Sequence, residues 1–233
     1  MDYDLVNIEL RIWAYSVGNT EMMQIFDRNE SFHMVIARLL YPELTKQCEE
    51  EGILFKEEYN SLYKKVKNGN FSLIYGGGPK KVDKTYKVDG AYYKVVSRFP
   101  EVPVFTQQII QQVLDNDYYK GIPYVTCKGG YRLEVNLDDL YTTACNYYSQ
   151  GSAGYIINLS MIELDKNPDY ISTDSQMINQ VHDSLKIQVP LDNYKPYLNH
   201  SFQRSIEMGG EKLLPTCAAE LEGVTYNEQD KAL

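Results

Sequence analysis

Residues that bind metals or form cross-links are scarce in this chain. Its 233 residues hold three histidines, four cysteines and a single tryptophan. Cys48, Cys127, Cys145 and Cys217 lie far from one another and from His33, His182 and His200, so the short ligand pairs of a zinc site are missing. With no secretory leader the thiols are expected to be reduced and mostly buried. No apolar run reaches the ~20 residues that cross a bilayer. The acidic opening Met1-Asp2-Tyr3-Asp4 has neither the cationic nor the apolar region of a signal peptide. The expected location is the cytoplasm, or the host cytoplasm for a viral chain, with no membrane partner. Repeats, low-complexity tracts and long Pro/Ser linkers are also missing. Cations are in deficit, with 23 Lys plus Arg against 32 Asp plus Glu and a formal charge of -9. Such a balance disfavours nucleic acid on average, but it is a whole-chain sum and leaves room for a local basic face.

Core-forming residues are plentiful: 43% of the chain is hydrophobic and 12% aromatic, which excludes a disordered tail and a disulfide miniprotein. Ile8 to Tyr15 reads as a helix ending near Gly18-Asn19, and His33 to Leu40 as another before Pro42. A longer helix covers Lys56 to Tyr75 before Gly76-Gly77-Gly78-Pro79, the strongest breaker in the chain. Phe99-Pro100-Glu101-Val102-Pro103 is a turn, followed by helical spacing from Phe105 to Leu114. Tyr124 to Val135, with Gly129-Gly130, suggests a hairpin. Gln150 to Leu164 is helical, and Gly151 and Gly154 allow close approach of another backbone. Met177 to Val181 and Leu185 to Val189 read as strands joined at His182-Asp183, with Leu185, Ile187 and Val189 on one face. Helices and antiparallel strands segregated in this way point to an α+β fold.

Three constellations could carry chemistry. Tyr63, Lys67, Phe71 and Tyr75 recur every four residues and share one helix face. A cation among aromatic rings suits a ligand with phosphates at one end and a flat ring at the other, although an amphipathic core helix with a snorkelling lysine has the same spacing. His182-Asp183 at a hairpin tip would expose a carboxylate on a rigid support, although turns favour Asp for local hydrogen bonding. Asp4 precedes Asn7-Ile8-Glu9-Leu10-Arg11, where an N-cap is the ordinary reading.

Taken together, in this order and at these separations, the three resemble the polymerase motifs of family A DNA polymerases, the polymerase I-like and bacteriophage enzymes. The family's first motif, Asp-Tyr-Ser-Gln-Ile-Glu-Leu-Arg, is similar to Asp4-Leu5-Val6-Asn7-Ile8-Glu9-Leu10-Arg11. The tyrosine of Asp2-Tyr3 stands too early, so Asp4 is the matching acid. The second motif has Lys, Phe or Tyr four residues on, and Tyr-Gly four later, like Lys67, Asn70-Phe71 and Tyr75-Gly76. The third resembles Gln180-Val181-His182-Asp183-Ser184, followed by Val189-Pro190. A helix with Gln150-Gly151-Ser152-Ala153-Gly154 resembles a further family segment. His33 after the first motif and Phe99-Pro100 in the middle extend the likeness over essentially the whole chain.

The resemblance implies attack of a primer 3′ hydroxyl on the α-phosphate of a deoxynucleoside triphosphate, with pyrophosphate released. It implies two Mg²⁺ ions held by Asp4, Asp183 and the carbonyl of Leu5. Lys67 would neutralise the triphosphate and His33 would touch its β-phosphate. Phe71 would stack near the incoming sugar and base, and Tyr75 would occupy the template base's place in the open state. Glu9 would block a ribose 2′ hydroxyl. Asn146, Gln150, His182 and Arg132 would contact primer and template. The expected architecture is palm over 1–29, fingers over 30–130 and palm again over 131–233, with the thumb and the N-terminal palm strand absent.

Several positions depart from the family pattern. Tyr63 stands where the family usually has Arg, with Lys64 beside it, so one triphosphate contact is lost or shifted. Ser184 replaces the usual Glu after the catalytic Asp, and Tyr131-Arg132 stands where consecutive arginines are common. Only three residues precede Asp4. The expectation is therefore the C-terminal part of a split or truncated enzyme, phage-like in its short fingers. It would need an N-terminal polypeptide carrying a thumb and, in some cases, an exonuclease, and would show an open sheet edge beside Asp4 and Asp183. A noncatalytic nucleic-acid-binding or structural subunit derived from a polymerase, and a small two-metal phosphohydrolase, are the alternatives. Retention of Asp4, Lys67 and Asp183 together separates the first of these from an enzyme. The shared face of Tyr63, Lys67, Phe71 and Tyr75 has no use in the second.

Overall fold

The computed structural model describes residues 2–115, 122–166, 175–182, 184–190, 206–208, 211–213 and 217–220. They group into two compact units, 9–152 and 1–8 with 153–233. The fold is α+β, as the segregation of periodicities implies.

The first unit is mostly helical. It holds α1 (Ile8–Val17), α2 (Thr20–Asp27), α3 (Phe32–Leu40), α4 (Pro42–Glu51), α5 (Phe55–Glu58), α6 (Asn60–Ile74), α7 (Pro79–Tyr86), α8 (Ala91–Arg98), α9 (Glu101–Asp115) and the first half of α10 (Leu140–Asp165). A two-stranded antiparallel hairpin, β2 (Tyr124–Thr126) and β3 (Arg132–Glu134), completes it. Local chemistry sets the helix boundaries. Gly18 ends α1 with φ of 66°, and Asn19 then caps α2 by accepting the Met22 amide at 2.7 Å. The Asn19 amide also donates to Glu101 at 2.7 Å, which ties the start of α2 to that of α9. Ser31 caps α3, and Pro42 and Pro79 occupy first-turn positions of α4 and α7, where no amide hydrogen is needed.

Three helices differ from their sequence expectation. The helix expected over Lys56 to Tyr75 is broken at Tyr59 (φ -112°, ψ 47°). Phe55 is buried and stacks between Tyr41 and Tyr59, so the short turn α5 is oriented by that packing and α6 begins afresh. Helix α9 starts at Glu101 and takes in Pro103, because its first turn tolerates a missing N–H. Helix α10 begins ten residues before Gln150, at Leu140.

Trp13, fully buried, anchors this unit: its indole donates to Ser149 at 2.7 Å and its ring meets Phe105 edge-on at 5.2 Å. A Cβ at Gly151 would collide with the side chains of Cys127 and Leu133, so side chains rather than a backbone make the close approach there, and at Gly154 nothing among the described residues lies within 4 Å. Gly69 on α6 lies against the ring of Tyr86, which is wholly buried. Gly69→Ala should therefore destabilise the protein by about 1–3 kcal/mol through overpacking, measurable as a lowered urea midpoint. An unchanged midpoint would mean that the Tyr86 ring can move aside.

The second unit contains the sheet β4 (Gln176–Val181), β5 (Ser184–Gln188), β1 (Asp2–Leu5) and β8 (Cys217–Glu220), antiparallel and in that order. It also holds a hairpin of β6 (Ile206–Met208) and β7 (Glu211–Leu213) and the second half of α10. Alternation along β5 buries Leu185 and Ile187, as the sequence pattern indicates. Thiols Cys48, Cys127 and Cys145 are free and buried, and burial pushes Cys127 up to about 11 and Cys145 up to about 12, so they stay protonated. The side chain of Cys217 lies outside the described residues. Among the described residues no helix is long and apolar enough to cross a membrane.

Candidate functional site

Helix α6 divides its surface sharply. Val66, Gly69, Asn70, Leu73 and Ile74 are buried, whereas Tyr63, Phe71 and Tyr75 are half-buried and Lys67 is exposed. The aromatic face is thus not the core face, and the amphipathic-core reading does not describe it. Phe71 and Tyr75 stack with centroids 5.9 Å apart and planes 24° from parallel. Residues 56–94 carry nine lysines against four acids, a local basic stretch inside an acidic chain. Lys64 is exposed but lies off the Tyr63-Lys67 face by one residue's rotation.

His33, on α3, meets this face from the side. Its ring lies 6.1 Å from Tyr63, nearly perpendicular to it, and 6.0 Å from Phe71. It is only 2% exposed. Burial, helped by the nearby Lys67 ammonium, pushes the imidazole down to about 4, so it is neutral at physiological pH. Nδ1 is hydrogen-bonded to the Asn70 amide nitrogen at 2.8 Å, while Nε2 is buried with no partner among the described residues. An unpartnered buried polar atom asks for a ligand or an explanation.

Tyr75 closes the other end of the face, where its hydroxyl donates to the Glu9 carboxylate. Glu9 sits in the first turn of α1 and is half-buried. His33, Tyr63, Lys67, Phe71, Tyr75 and Glu9 therefore form one continuous run of contacts or electrostatic neighbours within the helical unit. This run offers a phosphate-sized cationic end, stacking rings and a carboxylate.

The strand carboxylate stands in the sheet unit. Asp4 is the third residue of β1, paired with Ser184 of β5 and Ala218 of β8. It is not an N-cap, because α1 begins four residues later. The expected open edge beside Asp4 is also absent: β1 is paired on both sides, and β8, far away in sequence, fills the place left vacant in the sequence reading. Strands β4 and β5 form the expected hairpin, with Val181 opposite Ser184. His182 adopts φ of 53°, as a tight two-residue turn requires. Asp183 itself lies outside the described residues. Aspartate carboxylates with a backbone carbonyl such as that of Leu5 are a hard oxygen donor set of the kind that Mg²⁺ accepts. Among the described residues no group of three or more His, Cys, Asp or Glu side chains is placed to hold a metal.

The other expected contacts are on other elements. Asn146 and Gln150 project from α10, Gln150 exposed and Asn146 with its Oδ1 buried and unpartnered. Arg132 on β3 lies over the Tyr124 ring at 5.0 Å. His182 is exposed. Sequence reasoning quoted Asn70 within the second motif but gave it no role, and it missed Tyr86. The only available signal was a polar Asn70 on the buried side of α6.

The family model of DNA polymerase family A matches residues 1–212. DNA polymerase I of Lactococcus lactis subsp. lactis (strain IL1403) is 24% identical over 240 residues, covering 97% of this chain and 25% of that protein. DNA polymerase I of Mycobacterium tuberculosis (strain CDC 1551 / Oshkosh) is 25% identical over 205 residues, covering 81% and 21%. The chain thus spans about a quarter of the length of the curated relatives it matches. In fold it is similar to the POL domain of Pol1 from M. smegmatis, solved in complex with DNA primer-template and dNTP. The TM-score is 0.67 at 20% identity, over 93% of this chain and 38% of that one.

Proposed function

The chain belongs to DNA polymerase family A, and from that premise we propose that it performs template-directed DNA synthesis. It joins a deoxynucleoside triphosphate to a primer 3′ hydroxyl and supplies the catalytic part of a phage-like enzyme. The observation that carries this reading is the run from His33 through Lys67 and Phe71 to Tyr75 and Glu9. It supplies, in order, a hydrogen-bond donor, a cation, a stacking surface and a space-filling carboxylate. Residues 30–130 act as fingers, and 1–29 with 131–233 as palm.

Asp4, Asp183 and the Leu5 carbonyl would hold two Mg²⁺ ions, which when bound supply activation of the attacking hydroxyl and charge stabilisation at the phosphate. The chain's own residues do the rest. Lys67 places a point charge against the triphosphate, and the neutral His33 donates to a β-phosphate oxygen. Phe71 stacks against the incoming sugar and base, and Tyr75 holds the template base's place until a nucleotide arrives. Asn146, Gln150, His182 and Arg132 contact the primer-template. Lys64 is the second cation available to the triphosphate.

Tyr63 occupies the position where a second, forked cation would help. Tyr63→Arg should lower the KM for nucleotide roughly tenfold, since a charge-assisted bond to phosphate contributes about 1.5–3 kcal/mol. A raised KM in steady-state extension would mean that this helix face does not meet phosphate.

Primer extension by the purified chain, with and without a co-expressed N-terminal polypeptide carrying a thumb, tests the whole reading. With a net charge of -9, the chain alone should hold duplex DNA weakly and lose it steeply with salt. Extension should be slight alone and rise strongly with the partner. Robust processive extension by the chain alone would remove the need for a partner, and none under either condition would remove the polymerase reading.

A further inference from the structure

The proton positions around His33 follow from a chain of buried groups on three helices. Tyr86, at the end of α7, is wholly buried, and its phenol donates to Asn70 Oδ1 at 2.6 Å. Burial pushes that phenol up, so it keeps its proton and remains a donor. Its position is fixed: Tyr41 donates to the Tyr86 carbonyl at 2.6 Å, and Gly69 lies against its ring. With Oδ1 turned toward the phenol, Asn70 presents its NH₂ to His33 Nδ1. An amide nitrogen only donates, so Nδ1 accepts, and a neutral imidazole that accepts at Nδ1 carries its hydrogen on Nε2. That hydrogen sits on the buried, unpartnered atom.

We propose that Tyr86 and Asn70 are positioning residues that lock His33 in the Nε2–H tautomer and so reserve a directed, uncharged donor for a phosphate oxygen of the nucleoside triphosphate. The proposal rests on the polymerase reading for its ligand but not for its tautomer. The groups that face or lock the ring explain why a lock is needed. Lys67 and burial keep His33 neutral, Tyr63 and Phe71 flank it with rings, and none of these chooses between two neutral tautomers of comparable intrinsic stability. Among the described residues only the Tyr86–Asn70 relay does so. Neither residue lies on the Tyr63-Lys67-Phe71-Tyr75 stripe; Asn70 stands in the second motif only beside Phe71, and no spacing points to Tyr86.

Long-range ¹H–¹⁵N correlation spectra of the ¹⁵N-histidine-labelled chain read the tautomer directly. Only three histidines contribute, and His33→Gln identifies the signal. The wild-type chain at neutral pH should show a protonated Nε2 and a bare Nδ1. Tyr86→Phe removes the proton that orients Asn70 and should give a tautomer mixture, with several-fold weaker binding of magnesium tripolyphosphate measured on the same signal. Asn70→Asp, whose carboxylate can only accept, should invert the tautomer to Nδ1–H and serves if Tyr86→Phe does not fold. A wild-type Nδ1–H form, or a tautomer untouched by both substitutions, overturns the proposal. Primer extension is read separately: its failure with the Tyr86-dependent tautomer intact strikes the polymerase reading and leaves the relay standing.

Discussion

Asp4→Asn and Asp183→Asn should each reduce primer extension by ~10³ or more, an effect of about 4 kcal/mol on the barrier. Asparagine has nearly the size of aspartate and keeps an acceptor oxygen, so the substitution removes charge while disturbing packing little. Asp4 faces Ser184 across the β1–β5 pair, at a position where the family commonly supplies another acid, and Ala218 on its other side is apolar. On the proposed reading the site has two acids, so losing one halves its carboxylate set. Single-turnover extension with saturating primer-template and Mg²⁺ measures the loss, and circular dichroism checks that the sheet is retained. Extension within tenfold of wild type by either variant would remove that residue from the metal site. A parallel loss with Mn²⁺ in place of Mg²⁺ would show that the charge, rather than the choice of ion, is what matters.

What the sequence made legible was local. Helix α3 could be read from Pro42 beyond its end, and β4–β5 from the alternation of Leu185 and Ile187 behind a turn dipeptide. The stripe on α6 could be read from a four-residue repeat. Each of these signals lies within about ten residues. The break at Tyr59 was not legible, because it follows from Phe55 packing against Tyr41, a contact that spacing does not announce. The early start of α10 was hidden by Tyr141-Thr142-Thr143, residues with weaker helix preference, even though Ala144, Cys145 and Tyr148 continue its buried face. The pairing of β8 with β1 joins residues more than two hundred positions apart, and only the folded backbone shows it. At the site, the types and order of His33, Lys67, Phe71 and Tyr75 were readable. The burial of His33 and its link to Asn70 and Tyr86 were not, since those bonds span 37 and 16 residues.

Glu9→Ala should raise incorporation of ribonucleotides relative to deoxyribonucleotides by about 10²-fold. Selection of this kind is a difference of transition-state fits, and filling or emptying a small volume beside the sugar changes it by about 1–3 kcal/mol. Glu9 can fill such a volume only if its side chain is held in place. Tyr75 provides that hold, because its hydroxyl donates to the Glu9 carboxylate while its ring stacks on Phe71. The carboxylate is thereby fixed from the same helix face that would receive the sugar and base. Two consequences separate this account from a simple charge effect. Glu9→Gln keeps both the volume and an acceptor for the Tyr75 hydroxyl, so its sugar discrimination should stay near that of the wild type. Tyr75→Phe removes the restraint and leaves the volume, so discrimination should fall part of the way. Competition assays with paired ribo- and deoxyribonucleotides on one template give the three ratios. Equal loss in Glu9→Ala and Glu9→Gln would assign the selection to charge, and unchanged ratios in all three would place the incoming sugar elsewhere than beside α1.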